Sequence, residues 1–549
     1  MNLTVVPYNS FTDLISVLPE STRNACETNN DRFLYLNDYL KQIGCKTIII
    51  ETKYVDKNFL DDYSEYYSRC FQDIQKKCAR IHLFSSEFSL SDLKNYILEK
   101  IDGSTPDLLC NNYLGFIVLR PLPNAPLAKV CISTYPQTNE KNRYFPTLKT
   151  YRVHLLGQEL TIKSLAFQEQ DRALSACATS ALWSSFHGSS LLDVDKVSAP
   201  SRITENAKKI IPQYQLNHPH RGLTPAQMAS SVREDGLDPL LCNFINTSYL
   251  KALMRAYLSV GVTPVLGMSL HYADESGFLE NGISKAVPIG NHAVAVTGYH
   301  ISTTLPIPSF KTDDIPTILN KTYQRDIYLK SSAIDKIYVH DDEIGPFAKM
   351  EFLNEYWQHI KTRWYMYRNT VEEINATVKD ILLPKPHKIR ISFNTVFSII
   401  REFNSLYMKS WYDRGCRIVW DIYLTTVNDF KKEISLRDKV YFNSEMHKID
   451  ILTLNLPRYL WRVDGYMING SDNNNLNSIN FTLLFDATDI ENSDIFICGI
   501  HYDLLSRIDI FLSVLNPLSE LNAQKISKFS QSLRIAKEYS DLLAQKIIY

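Results

Sequence analysis

Short apolar runs of strand length recur along the chain and are bounded by polar or turn-forming residues. Runs of this length that are rich in β-branched and aromatic residues predict strands. They occur at KTIIIETKYV, GFIVLRPLP, TPVLGMSL, HAVAVTGYHI, DKIYVH, RIVWDIYL and LWRVDGYMI. Because helix-forming stretches lie between these runs, the sequence predicts a mixed α+β fold.

The stretches between the strands carry helix signals. Thr224 followed by Pro225 is typical of a helix N-terminus, and Gly261 is placed to end a helix over Tyr249–Val260. Two longer runs are also predicted to be helical, Lys57–Arg80 and Trp357–Leu382.

The length of the chain predicts more than one hydrophobic core. A chain of 549 residues with 45% hydrophobic and 22% charged residues is long enough for about three globular domains. We expect an N-terminal α+β domain over 1–160, a central domain over 161–352 and a C-terminal α+β domain over 353–549. Within the central domain, the polar and proline-containing residues 301–320 favour a surface loop or flap.

The charge balance excludes some classes of partner. There are 59 basic and 60 acidic residues and the net charge is −1, so the chain has no overall electrostatic footprint for nucleic acid or an anionic membrane. No apolar segment approaches the roughly 20 residues of a membrane span, and the first residues lack the pattern of a signal peptide. Ten cysteines without close pairs favour reduced thiols. We therefore expect a cytoplasmic protein.

One cysteine stands where a helix is predicted to begin. Polar residues, among them Asp171 and Ser175, precede Cys177, and an apolar run that ends in Trp183 and Phe186 follows it. The first N–H groups of a helix and its dipole stabilise a thiolate at that end, which makes Cys177 a candidate nucleophile. The alternative is a small buried hydrophobic residue, a common role of free cysteine.

A histidine and two aspartates could complete such a site. His292 opens the predicted strand HAVAVTGYHI and is placed to accept a proton, unless it is only a structural strand-end histidine. Asp341 and Asp342 end the next strand, before a turn at Gly345, and one of them could orient the imidazole. We assign this role to Asp341. Strand alternation then predicts that Asp342 points away.

These three motifs together resemble the papain-like cysteine peptidase superfamily. The order is a helix-borne cysteine, a histidine in NHAVAVTGY and an acidic residue that ends the following strand. IYVHDDEIGPF and GLTPAQMASSVREDGL are most similar to the bacterial bacteriocin-processing branch. The resemblance covers about residues 165–350 and does not extend to the flanks. It implies a papain-like domain in which the helix that carries the cysteine packs on an antiparallel sheet.

The resemblance also implies the role of each residue. Cys177 would be the nucleophile, His292 the general base and acid, and Asp341 the orienting carboxylate. Gln170 would help to bind the oxyanion, together with the backbone N–H of the nucleophile. The chain has six residues between Gln170 and Cys177 where the family usually has five, so Gln168 is an alternative. Ala178 stands where many members have tryptophan, and no Asn-Ser-Trp-Gly turn follows the histidine strand.

The implied function is a cysteine peptidase that cleaves a peptide or isopeptide bond without a cofactor or metal. Its partners would be a protein or peptide substrate and a regulatory protein that acts through the flanking domains. An acyltransferase or deamidase would use the same thioester chemistry. A catalytically silent papain-like binding protein is an alternative of a different class, because about two thirds of the chain lies outside the resemblance.

Other motifs indicate function more weakly. His218 and His220 have a spacing that could chelate a metal, but no further ligand completes the site. A short basic patch is more typical of a solvated strand start than of a nucleic-acid site; it comprises Lys385, Lys388 and Arg390. The aromatic run over Trp364–Asn369 is predicted to be a packing face of a helix.

Overall fold

The computed structural model describes residues 3–501 with several gaps. The gaps are residues 28–29, 72, 100–107, 124, 137–141, 172–175, 190, 194–195, 211–221, 244–246, 273–287, 303–308, 311–326, 354–358, 367–369, 408–415, 438–444, 470–478, 480 and 491–494. The described chain combines helices with sheets in which antiparallel pairing dominates.

Two compact units account for the contacts of the chain. The first comprises Met1–Phe244, Gly261–His300 and Lys336–Lys385, and the second comprises Ile245–Val260, Ile301–Asp335 and Pro386–Tyr549. The boundaries expected near residues 160 and 352 do not coincide with this division, because the segments on either side of each share a sheet or a core. These two units are defined by contacts between residues, whereas the three predicted domains are defined by sequence. The three-domain division therefore stays a prediction.

The first unit begins with a five-stranded antiparallel sheet and its helices. The strands lie in sequence order: β1 (Leu3–Pro7), β2 (Thr47–Tyr54), β3 (Cys78–Phe84), β4 (Tyr113–Leu119) and β5 (Leu127–Ile132). The helices are α1 (Phe11–Ser16), α2 (Glu20–Glu27), α3 (Asn30–Gln42), α4 (Lys57–Glu65) and α5 (Leu90–Glu99). The helix predicted over Lys57–Arg80 is wrong beyond Glu65. From Cys78 every residue to Phe84 is buried, as in a central strand.

A larger sheet in the same unit closes on itself. Its strands are β6 (Arg143–Tyr144), β9 (Asp238–Asn243), β10 (Val265–Tyr272), β11 (Pro288–Ile301), β14 (Ile334–Asp341), β15 (Gly345–Phe352), β16 (His359–Met366) and β17 (Thr370–Lys385). Because β10 pairs with both β11 and β17, six of these strands form a closed ring. A separate hairpin joins β7 (Lys149–Leu155) to β8 (Gln158–Ser164).

The predicted helix over Trp357–Leu382 is wrong, because this segment forms β16 and β17. Along β17, the buried residues Ile374, Ala376 and Val378 alternate with the more exposed Asn375 and Thr377. This period of two is that of a strand with one buried face. The aromatic run that begins at Trp364 therefore lies at the end of a strand rather than on a helix, and residues 367–369 lie outside the described part of the chain.

Three helices of the first unit follow the hairpin: α6 (Cys177–Gly188), α7 (Pro200–Ala207) and α8 (Pro225–Glu234). Thr224 is the N-cap of α8, as predicted from the sequence, and it also forms a capping box with Gln227. Every residue of α6 after Cys177 is buried. Its residues Trp183 and Phe186 belong to one core with Val265 of β10 and Ala293 of β11. The helix that begins at Cys177 is therefore held by the first unit on all sides.

The second unit contains a six-stranded sheet and four helices among its described residues. The sheet has the order β12 (Ser309–Phe310), β13 (Ile327–Leu329), β18 (Cys416–Thr426), β19 (Tyr459–Asn469), β20 (Phe481–Asp486) and β21 (Phe496–His501). The helices are α9 (Thr247–Leu258), α10 (Phe393–Tyr407), α11 (Val427–Leu436) and α12 (Glu445–Thr453). Phe430, Ile434 and Leu484 are central residues of its apolar core. In the described ranges of both units, no helix combines the length and apolar character needed to span a membrane.

Candidate active site

Cys177 is the first residue of α6, as the sequence predicts. The N-cap residue is Ala176, which offers no side-chain acceptor to the first turn. The side chain of Cys177 is half-buried, whereas the rest of the helix is fully buried. The thiol therefore lies at the positive end of a helix whose dipole is not compensated by a capping side chain. Arg172 and Ser175, which precede it in the sequence, lie outside the described residues.

The imidazole of His292 lies between the thiol of Cys177 and a carboxylate. Its Nε2 lies 2.9 Å from Oδ1 of Asp341, and its side chain also forms a hydrogen bond with Cys177. Because Nε2 faces Asp341, Nδ1 is the ring nitrogen that is left for the thiol. Burial by itself lowers the pKa of His292, but the charge and hydrogen bond of Asp341 and the hydrogen bond to Cys177 raise that pKa well above its usual value.

Asp341 and Asp342 both face the imidazole, so the expectation that Asp342 points away is wrong. Oδ1 of Asp342 lies 3.8 Å from Nε2 of His292, and both carboxylates are buried. The pairing of β14 with β15 shifts register between Val339 and Asp341, and such a bulge breaks the strict alternation of side chains. Burial raises the pKa of Asp342 to about 7, against the opposing charge of His292. Of the two carboxylates, that of Asp341 is the one at hydrogen-bond distance from Nε2 of His292, and so it remains the candidate for orienting the imidazole.

The two candidate glutamines have different surroundings. Nε2 of Gln170 donates to Oε1 of Glu343 at 2.7 Å, two residues after Asp341. Gln168 is buried, and its satisfied amide orientation donates to the carbonyl of Ala128 at 3.3 Å and accepts from Nη1 of Arg120 at 3.2 Å. Gln170 thus contacts the acidic turn of the site, whereas Gln168 is held by β5 and its neighbouring loop. An amide has two N–H donors, so Gln170 keeps one for a further acceptor.

An ion-pair network that the sequence did not indicate surrounds Gln170. Arg32 of α3 pairs through Nη1 with Glu169 and through Nη2 with Oε2 of Glu343 at 2.8 Å. Burial alone raises the pKa of Glu343, but the charge and hydrogen bond of Arg32 together with the charge of His292 lower it, so that it lies below its usual value. Glu343 was within the predicted acidic motif and carried no assigned role. Arg32 is 311 residues away from it in the sequence, and no local pattern indicates their contact.

Two other buried histidines of this unit differ from His292. Burial lowers the pKa of His340 to about 3 and that of His187 well below its usual value. Neither is paired with a carboxylate in the contacts that the structure describes; His340 packs between Phe167 and Phe347, and His187 packs against Trp183. These two imidazoles are neutral packing groups, which leaves His292 as the charged one at the N-terminus of α6.

A metal is the main alternative use of the acidic cluster. Within the described residues, one ligand atom each from His292, Asp341 and Asp342 lies within 4.8 Å of the others. A cation would require a neutral imidazole and two ionised carboxylates. The raised pKa of His292 and the raised pKa of Asp342 oppose both conditions. A bound cation and a protonated imidazole therefore exclude each other at this cluster.

The remaining sequence candidates lie apart from this cluster or outside the described chain. His218 and His220 are not among the described residues, and of the expected flap the structure describes residues 301–302 and 309–310 alone. Lys385 pairs with Asp238, and Arg390 donates to the carbonyl of Thr488 at 2.6 Å. Two of the three basic residues of that patch, Lys385 and Arg390, therefore have structural partners.

Comparison with known proteins gives no indication of the function of this chain. No model of a known protein family matches the chain, and no curated protein matches it. The contacts of Cys177, His292, Asp341 and Gln170 are therefore the basis for assigning a function.

Proposed function

We propose that this chain is a cysteine peptidase of the papain-like type that acts through a thioester intermediate. The observation that carries the proposal is the position of His292, whose buried imidazole is hydrogen-bonded to the thiol of Cys177 and to the carboxylate of Asp341. A nucleophile, a base and an orienting group in this order are the minimal set for nucleophilic acyl transfer. The helix dipole at Cys177 and the charge of Asp341 both favour a thiolate–imidazolium pair.

In the first half of the proposed reaction, the sulfur of Cys177 forms a bond to the carbonyl carbon of the substrate. The electron pair of the C=O bond moves to oxygen, and one N–H of Gln170 and the backbone N–H of Cys177 stabilise this oxyanion. His292 then transfers its proton to the leaving amine, the C–N bond breaks and a thioester remains on Cys177.

In the second half, the neutral imidazole of His292 takes a proton from the group that attacks the thioester. With water, the C–S bond breaks, the acid product leaves and the thiolate returns. With an amine as the attacking group the same residues would catalyse acyl transfer, and with a side-chain amide as substrate they would catalyse deamidation. We propose hydrolysis of a peptide or isopeptide bond in a protein or peptide as the principal reaction.

The proposal includes a reducing compartment for the enzyme and its regulation by other parts of the chain. The nine cysteines that the structure describes are free thiols, which suits a reducing compartment such as the cytoplasm. We propose that regions outside the resemblance, which form most of the chain, select the substrate or restrain the enzyme until a partner binds.

A comparison of cleavage products in cells tests the proposed reaction directly. Cells that express the wild type are compared with cells that express Cys177→Ala, and new protein N-termini are identified by mass spectrometry. We expect a set of N-termini that depends on Cys177. Cells that express His292→Ala should lack the same set. If the three samples give the same N-termini while the purified wild type forms no Cys177-linked acyl intermediate with an activated ester, the proposal is wrong.

A further inference from the structure

Helix α3, near the beginning of the chain, packs against the turn that follows Asp341. Oη of Tyr35 donates a hydrogen bond to the carbonyl of Pro346 at 2.8 Å, and the ring of Tyr39 stacks on Phe347 with centroids 6.2 Å apart. Both tyrosines are buried. Residues that are about 300 positions away in sequence therefore fix the backbone of this acidic turn.

Arg32, at the start of this helix, joins the two segments that flank the cluster. It is 7% exposed and contacts Glu169, which is fully buried and precedes Gln170. Its other terminal nitrogen contacts Glu343, which follows Asp341 by two residues. A guanidinium presents its N–H donors in a planar fork and can bind two carboxylates at once, which an ammonium cannot match in geometry.

Glu343 transmits this contact to two residues of the proposed mechanism. Its Oε1 accepts the hydrogen bond from Gln170 at 2.7 Å, while its backbone N–H donates to Oδ1 of Asp341 at 3.0 Å. The position of the Gln170 amide therefore depends on where the carboxylate of Glu343 lies. Arg32 holds that carboxylate through its second oxygen.

The charge of Arg32 matters as much as its shape. Four carboxylates lie in or beside the cluster, those of Glu169, Asp341, Asp342 and Glu343. Without Arg32, the partly buried carboxylate of Glu343 would lose this ion pair one hydrogen bond away from the oxyanion donor. A partly buried carboxylate that loses a cationic partner shifts, takes up a proton or repels a second negative charge that develops nearby. Each of these outcomes would weaken oxyanion binding by Gln170.

We infer that Arg32 is a positioning residue of the proposed active site: it compensates the charge of Glu343 and thereby holds the amide of Gln170 where an oxyanion forms. This inference rests on the proposed function. It makes the N-terminal segment an integral part of the catalytic apparatus, although that segment lies outside the family resemblance.

Acylation by p-nitrophenyl acetate gives a readout that separates positioning from thiol reactivity. The sulfur of Cys177 forms a bond to the ester carbonyl carbon, and the bond to p-nitrophenolate breaks, so that the phenolate leaves with the electron pair. This reaction passes through an oxyanion. Alkylation of the same thiol by iodoacetamide displaces iodide from a saturated carbon and forms no oxyanion. The ratio of the two rates for each full-length variant therefore reports on the oxyanion site.

We expect Arg32→Gln to lower the acylation-to-alkylation ratio by about 10-fold or more, towards the roughly 10²-fold typical of the loss of one oxyanion donor. In the double variant Arg32→Gln and Gln170→Ala, the ratio should equal that of Gln170→Ala alone, because both changes remove the same interaction. Adding Glu343→Gln to Arg32→Gln should restore part of the ratio, since the neutral amide keeps an oxygen acceptor for Gln170 and carries no charge. A purely structural role of Arg32 predicts no such restoration.

A control variant, Arg462→Gln, and the acetylation of Cys177 in the wild type distinguish a failure of this inference from a failure of the proposed function. Arg462→Gln removes another buried arginine that pairs with two carboxylates, Glu433 and Asp464, in the second unit, and it should leave the ratio unchanged. If the folded Arg32→Gln protein has the wild-type ratio, or if its loss and that of Gln170→Ala add independently, the inference is wrong while the proposed function stands. If the wild type forms no acetyl-Cys177, the proposed function itself fails.

Discussion

Nε2 of His292 lies 2.9 Å from Oδ1 of Asp341, and the two side chains are buried together on the adjacent strands β11 and β14. Burial disfavours a charged imidazole, yet the charge of Asp341 and its hydrogen bond raise the pKa of His292 well above its usual value. An imidazolium that is stabilised in this way beside a thiol at a helix N-terminus favours the thiolate. The reactivity of Cys177 should therefore depend on Asp341, which does not itself react.

Asp341→Asn should slow the alkylation of Cys177 by about 10-fold near pH 7, because the loss of the negative charge lowers the pKa of His292 and depopulates the ion pair. The amide keeps the shape of the side chain and can still accept a hydrogen bond. The measurement is the rate of iodoacetamide labelling between pH 5 and pH 9. We expect the onset of labelling to move to higher pH, because less thiolate is present at neutral pH without the ion pair. An unchanged profile would remove Asp341 from the proposed role.

Asp342→Asn should stabilise the protein at neutral pH. Burial raises the pKa of Asp342 to about 7, whereas a carboxyl in the unfolded chain titrates near 3.9. Between these values the folded state binds the extra proton, so the stability of the wild type falls as the pH rises from about 4 to about 7. The asparagine variant lacks this loss, which is on the order of 2–4 kcal/mol at pH 8.

Thermal unfolding at pH 4 and pH 8 measures this difference for Asp342. We expect the midpoints of Asp342→Asn and wild type to be similar at pH 4 and the variant to be more stable at pH 8. His292, whose raised pKa makes its stabilising contribution decline as the pH rises through that folded value, is present in both proteins. A difference that is the same at both pH values would mean that folding does not raise the pKa of Asp342.

Gln170→Ala should lower acylation of Cys177 by about 10²-fold without altering its alkylation, the usual scale for one oxyanion donor. Gln168→Ala should instead lower the stability of the protein and leave the acylation of Cys177 almost unchanged. It leaves the buried Arg120 with an unpaired donor and is expected to cost about 1–3 kcal/mol of stability, with little change in the acylation rate of the folded protein. Were Gln168→Ala to give the loss of acylation instead, the assignment of the oxyanion residue would move to Gln168.

Gly345→Ala should disturb the turn that carries Asp341. Gly345 has a φ of +150°, and a Cβ at this position would lie 2.5 Å from Cδ1 of Tyr35. We expect a loss of about 1–3 kcal/mol from backbone strain together with slower alkylation of Cys177. Gly157→Ala is the matched control, because Gly157 also has a positive φ but no atom within 4 Å of the added Cβ. Equal effects on alkylation in both variants would exclude the contact with Tyr35 as the cause.

Local sequence signals predicted the parts of the fold whose interactions are local. The start of α6 at Cys177 and the N-cap of α8 at Thr224 depend on residues within one helical turn, and both are found. The strand predicted from HAVAVTGYHI is found as β11, but it begins at Pro288, so His292 lies inside the strand and not at its first residue. The helix predicted over Trp357–Leu382 is wrong, because Ile374, Ala376 and Val378 are buried with the period of two that a strand has.

Interactions between distant segments could not be predicted from the sequence. The approach of Arg32 to Glu169 and Glu343 depends on how α3 packs on the turn after β14, and nothing near Arg32 in the sequence indicates this contact. The position of Asp342 depends on the register shift beside Asp341, which is a property of the paired strands rather than of either one. Motifs indicate Cys177, His292 and Asp341 as candidates, whereas the ion pairs around them depend on contacts between segments that are distant in sequence.

Competitive labelling of the cysteines tests the central claim most directly. Burial raises the pKa of Cys45, Cys78, Cys131 and Cys498 to about 12, so these thiols should remain unlabelled, while the exposed Cys110 serves as the accessible reference. The full-length protein is treated briefly with substoichiometric iodoacetamide near pH 6 and analysed by peptide mapping.

We predict that Cys177 is labelled at least about 10-fold faster than Cys110, because its thiolate is stabilised by the helix dipole and by His292. His292→Ala should abolish this preference while Cys110 keeps its rate. The account is contradicted if Cys177 in the wild type reacts no faster than Cys110 and its rate is the same with and without His292.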